Sequence, residues 1–145
     1  VFTKCGLVWD EGNPLAPPRR VLEPSSIRRE CEASLRRLGV ERIDLYQFHW
    51  PDETGVPVED SWGEMARLVE EGKVRWAGVS NFDVALLERC EAIRHVDSLQ
   101  PPFSAIRRDA AAGPIIRTGD REAMSKAGRR HFPEPACFAA AGRTR

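Results

Sequence analysis

An α/β fold with a parallel sheet is what this sequence predicts, on three observations. The stretch Ile43 to Pro51, IDLYQFHWP, consists of strand-forming side chains that are apolar at positions of both parities, the pattern of a strand buried on both faces. Runs of this kind alternate along the chain with amphipathic helical segments. Every connection is also long enough for a right-handed crossover, which parallel neighbours require. Four strands and three helices are expected.

The elements follow in order. Val1 to Cys5 reads as a short strand, with Lys4 near its carboxyl end, and a loop rich in Gly, Pro and acids runs on to Pro18. Pro24-Ser25-Ser26 starts a helix whose apolar stripe is Ile27, Cys31, Leu35 and Leu38, and Gly39 is placed to end it in the left-handed conformation. After the strand at Ile43, Pro51 cannot continue a central ladder and holds Trp50 extended, so His49 falls at a carboxyl strand end. Pro57 opens a second helix with the stripe Val58, Trp62, Met65, Ala66 and Val69, closed by Gly72. Val74 to Val79 is the third strand and runs into Ser80-Asn81. Asp83 starts a third helix, with Val84, Leu87, Cys90 and Ile93 expected inside. Val96 to Gln100 is the fourth strand, stopped by Pro101-Pro102.

Composition narrows the classes. The 145 residues have a formal net charge of zero, which removes the electrostatic case for a nucleic-acid or anionic-membrane partner. No apolar run is long enough to span a bilayer, and the start, VFTKCG, lacks the order of a signal peptide, so a cytoplasmic protein is expected. Four separated cysteines with no C-x-x-C pair suggest neither a zinc site nor a disulfide framework. Residues 1–112 are read as the folded part and 113–145 as an Ala/Gly/Arg/Pro-rich tail, either unstructured or translated out of frame. Residues 117–145 carry seven Lys or Arg against three Asp or Glu, or +4, which leaves −4 for residues 1–116.

Taken singly, Lys4, His49, Ser80, Asn81 and Gln100 each read as structural: an exposed lysine, a satisfied histidine, a turn before a helix, a glutamine ahead of two prolines. Their shared position, at the carboxyl ends of consecutive parallel strands, points instead to a site.

The order of TK, DLYQFHWP, EEGKVRWAGVSNF and LQPPFS resembles the aldo-keto reductases, and the match runs from Val1 to about Asp109. Within that family the chain is most similar to the bacterial general-stress type, related to potassium-channel β subunits. The resemblance implies a (β/α)8 TIM barrel, here about four of its strands, that binds NADP(H) at the carboxyl rim and reduces a small-molecule aldehyde or ketone to an alcohol. It also implies roles: Lys4 lowers the pKa of a catalytic tyrosine, His49 orients the substrate carbonyl, and Ser80, Asn81 and Gln100 hold the nicotinamide carboxamide. No metal is implied. The family's catalytic tyrosine and its aspartate precede the opening strand of this sequence, so an inactive, truncated copy is expected. The alternative is a non-catalytic fragment or interaction module. A metal-dependent barrel hydrolase would need clustered ligands at strand ends, and only His49 stands at one.

Overall fold

All four strands of the main sheet run the same way. In this computed structural model, residues 1–10, 12–13 and 15–101 are described. The elements are β1 (Phe2–Cys5), β2 (Leu7–Val8), β3 (Arg19–Arg20), α1 (Pro24–Leu38), β4 (Ile43–Phe48), α2 (Val58–Glu70), β5 (Val74–Ser80), α3 (Val84–Glu91) and β6 (Ser98–Gln100). The order across the sheet is β1-β4-β5-β6, every pair parallel, and β2 and β3 form a separate antiparallel hairpin. The expected α/β architecture is therefore present. The tail beyond residue 101 and the expected boundary at residue 112 lie outside the described residues.

Register sorts the side chains between two faces, because partners in a parallel ladder point the same way. Cys5, Tyr46, Phe48, Ala77 and Val79 form one face and are all buried. Against it pack Trp62 of α2, edge-on to Phe48 with centroids 5.6 Å apart, and Phe82, at 6.1 Å. The other face carries Phe2, Lys4, Leu45, Gln47, Trp76, Gly78, Ser80, Ser98 and Gln100. Phe2 is 76% exposed there. Gln47 is buried nonetheless, since its Nε2 passes over Gly78 to donate to Ser98 Oγ at 3.1 Å.

The helix boundaries follow local chemistry. Gly39 takes φ 65° and its N–H reaches back to the last turn of α1, as its placement in the sequence predicts. The N-cap of α1 is Glu23 rather than a serine, because Ser26 Oγ is engaged with Glu30 at 3.1 Å and Glu23 accepts the Ser26 N–H. Asp83 caps α3 by accepting from Leu86 N at 2.9 Å.

Besides the β2–β3 hairpin, which was not expected, four details depart from the sequence expectation. Leu68 is fully buried where Val69 was expected to lead, as the stripe of α2 tilts through Val58, Trp62, Met65 and Leu68. Leu38 is 48% exposed at the end of α1, and Ile93 is 43% exposed because α3 ends at Glu91. The fourth strand is only three residues long, since the Val96 N–H turns to Glu91 and Asp97 uses its side chain as well as its backbone to hold Ala77 of β5. No described helix is long and apolar enough to cross a membrane.

Gly78 is needed where Gln47 crosses the sheet. A Cβ there would lie 2.7 Å from the Ser98 carbonyl oxygen and 3.0 Å from Gln47 Cγ. We expect Gly78→Ala to destabilise the fold by about 1–3 kcal/mol, read as a lower midpoint in urea unfolding. An unchanged midpoint would show that the crossing does not constrain the sheet.

Candidate active site

The four parallel strands carry polar side chains at their carboxyl ends. Lys4 stands in register with Gln47, Gly78 and Ser98, and one step further along lie Ser80 and Gln100, themselves paired. His49 follows Phe48 with the parity of Gln47, so its ring belongs to the same face. The Lys4 ammonium is near enough to act on the His49 imidazole. Burial first, and that cation second, hold His49 below the ordinary histidine range, so the ring is neutral at pH 7. Lys4 makes no ion pair among the described residues.

Ser80 is 1% exposed and its Oγ donates to Gln100 Oε1 at 3.4 Å, a long and weak contact. Asn81 has φ 62°, in the left-handed region where asparagine is among the few tolerated side chains. Its backbone N–H donates to the Gln100 carbonyl at 3.0 Å, and its Nδ2 donates to the His49 carbonyl at 2.8 Å. All five residues singled out in the sequence are thus placed around one rim.

The rim loops are stitched to one another. Arg20 of β3 places its guanidinium 4.4 Å from the centroid of Trp50, a cation–π contact, while its N–H donates to Glu53 at 2.9 Å. Asp52 accepts from Leu22 N and Thr54 N, each at 2.7 Å, and from Val56 N at 3.0 Å. Trp9, just after β2, is 59% exposed. A cleft of about 420 Å3 opens outside these loops between Leu22, Pro51, Phe82 and Arg89, and none of the five residues lines it.

Sequence reading missed Arg20 and Gln47. The signal for Gln47 was its parity with His49 in an otherwise apolar strand. Arg20 had none, being one of many arginines in a loop. Among the described residues no group of three His, Cys, Asp or Glu is placed to hold a metal ion.

Parallel strands alternating with helices, with polar groups at the carboxyl ends of the strands, are the pattern of part of an α/β barrel. The pattern described as the Aldo/keto reductase family matches residues 1–119. Aldo-keto reductase YhdN of Bacillus subtilis (strain 168) is 36% identical over 107 residues, covering 74% of this chain and 31% of that protein. Among solved structures, the glycerol dehydrogenase AKR11B4 from Gluconobacter oxydans has a TM-score of 0.77 at 30% identity, over 97% of this chain and 47% of that one. An aldo/keto reductase from Klebsiella pneumoniae in complex with NADP and acetate has a TM-score of 0.59 at 26% identity, over 74% of this chain and 41% of that one. The chain belongs to the aldo/keto reductase family, a family of oxidoreductases, and its sheet is part of a (β/α)8 barrel. It spans about a third of the curated relative and less than half of these solved neighbours.

Replacing Lys4 by methionine removes the cation but leaves the burial. In Lys4→Met the His49 titration, followed by NMR, is expected to move up while staying below the usual histidine range. No movement would separate the two side chains.

Proposed function

We propose that this chain carries part of the active site of an NADP(H)-dependent carbonyl reductase, with Lys4 and His49 as its catalytic groups and Ser80, Asn81 and Gln100 as its cofactor-binding groups. The observation that supports this reading most is their arrangement: five polar residues on adjacent parallel strand ends, with Lys4 acting on His49. NADP(H), when bound, supplies the hydride.

The donor set fits a carboxamide, which needs both a donor and an acceptor. Asn81 spends its Nδ2 on the His49 carbonyl and keeps Oδ1 to accept from an amide N–H. Gln100 keeps Nε2 to donate, and the weak Ser80–Gln100 contact is readily exchanged. Such contacts decide which face of the ring looks toward the substrate, a positioning contribution. Neutral His49 offers an N–H to a carbonyl oxygen on which negative charge grows during reduction. Lys4 adds positive charge beside that position.

The sequence given contains one tyrosine, Tyr46, and it cannot serve as the proton donor in this arrangement. It is fully buried on the opposite face, and burial, with the Cys5 thiol beside it, drives its pKa far above the phenol range. Nor does Asp44 offer the aspartate: it sits at the far end of β4, paired with the amino terminus.

We further propose that the site belongs to a cytosolic reductase of a small carbonyl compound and that the 145-residue chain is inactive by itself. The 145-residue protein is expected to show no carbonyl-dependent NADPH oxidation and only weak NADPH binding, weakened further in Gln100→Ala when measured by titration calorimetry. Steady-state turnover would overturn the inactivity. Binding that Gln100→Ala leaves unchanged would overturn the assignment of the cofactor-binding groups.

A further inference from the structure

The β4–β5 ladder ends one residue too early for His49. Its last rung pairs Phe48 with Val79, and the His49 carbonyl lies beyond it. Two residues on, Pro51 has no N–H to offer in a local turn. A half-buried carbonyl left in that position would be an unsatisfied acceptor. Asn81 cannot satisfy it from its backbone, because its N–H donates to the Gln100 carbonyl of β6. The side chain does so instead, with Nδ2 2.8 Å from the His49 oxygen. An amide thus stands in for the missing rung.

We propose that Asn81 is a positioning residue for His49, clamping the His49 backbone to β5 through this side-chain rung. His49 is then held on both sides, its N–H donating to the Cys5 carbonyl of β1 at 3.0 Å and its carbonyl accepting from Asn81. Chemistry narrows the residue type. Glycine adopts φ 62° with ease but brings no donor, and ionised aspartate tolerates the conformation but is acceptor-only. A serine hydroxyl stops one atom short of the amide. Asparagine combines the left-handed conformation with an N–H at the required reach. One side chain then faces two ways, with Nδ2 on the carbonyl-orienting histidine and Oδ1 free on the rim. The clamp itself is a matter of geometry; only the catalytic meaning of His49 rests on the proposed function.

Asn81→Gly isolates the effect, since it preserves the backbone conformation and deletes the amide. In cofactor-free protein labelled with 13C and 15N, the His49 carbonyl resonance should move upfield as it loses a hydrogen bond. The His49 ring should titrate higher as it leaves the burial and the Lys4 cation that depress it. The charged group acting on the ring is Lys4 of β1, whereas β5 and β6 present the neutral Ser80, Asn81 and Gln100, so the titration reports the ring's position. Ser80→Ala serves as the control and should leave both signals in place. If both His49 signals are unchanged in a folded Asn81→Gly, the clamp does not exist. If Asn81→Gly fails to fold, Asn81 is a general structural residue and the positioning role is overturned. NADPH titration of the same samples tests the proposed function separately, because the clamp is read without cofactor.

Discussion

Parallel pairing of β1, β4, β5 and β6 is the constraint from which the remaining features follow. Once Lys4, Gln47, Gly78 and Ser98 share one row, alternation assigns every other side chain to a face. The face with Tyr46, Phe48, Ala77 and Val79 takes the helices and excludes water, while the opposite face keeps the polar groups. Slipping β1 by a single residue would put Lys4 among the helix-facing apolar side chains, and slipping β4 would turn Tyr46 to the rim. Gly78 helps hold the register, because only a residue without Cβ lets Gln47 reach Ser98 across β5.

Much of this was legible because it depends on local chemistry. Gly39 announces its left-handed cap, Asp83 its helix start, and Pro51 the end of a central strand, each by steric or hydrogen-bonding rules within a few residues. The rim residues were legible for a related reason: strand ends are marked by the prolines and small polar residues that stop them. What escaped depends on contacts remote in sequence. The β2–β3 hairpin is two residues per strand, too short for any period, and is held by Arg20 and Leu22 reaching Glu53 and Asp52 some 30 residues away. Leu68 in place of Val69 at the core reflects how α2 rolls on the sheet, which its own stripe does not determine. The second hydrogen bond of Asn81 is invisible to any reading that sees only the turn before a helix.

Charge is distributed in a way that separates support from chemistry. On the helix side, Arg28 is shared between Glu64 and Glu71 at 2.6 to 2.8 Å, and Lys73 between Glu32 and Glu71 at 2.9 and 3.0 Å. These groups are satisfied pairs and, apart from the buried Glu64, partly exposed and screened, with modest individual value. At the rim, the half-buried Lys4 ammonium faces a neutral ring and no carboxylate among the described residues. That cation, without a carboxylate among the described residues, therefore stands apart from the paired charges on the helix side.

Tyr46 shows how strictly the sheet separates these two functions. It lies three residues from His49 and thus on the opposite face, with its ring fully buried and its hydroxyl without a hydrogen-bond partner of good geometry among the described residues. The neighbouring Cys5 thiol donates to the Gln47 carbonyl at 3.7 Å instead. The burial of a large aromatic ring in the helix-facing core favours this placement. The same burial removes the phenol from proton transfer, because the charged form has nothing to solvate it. A residue chemically suited to donate a proton is therefore barred from doing so by its parity alone. The odd spacing of three positions between Tyr46 and His49 decides that Tyr46 packs while His49 faces the rim.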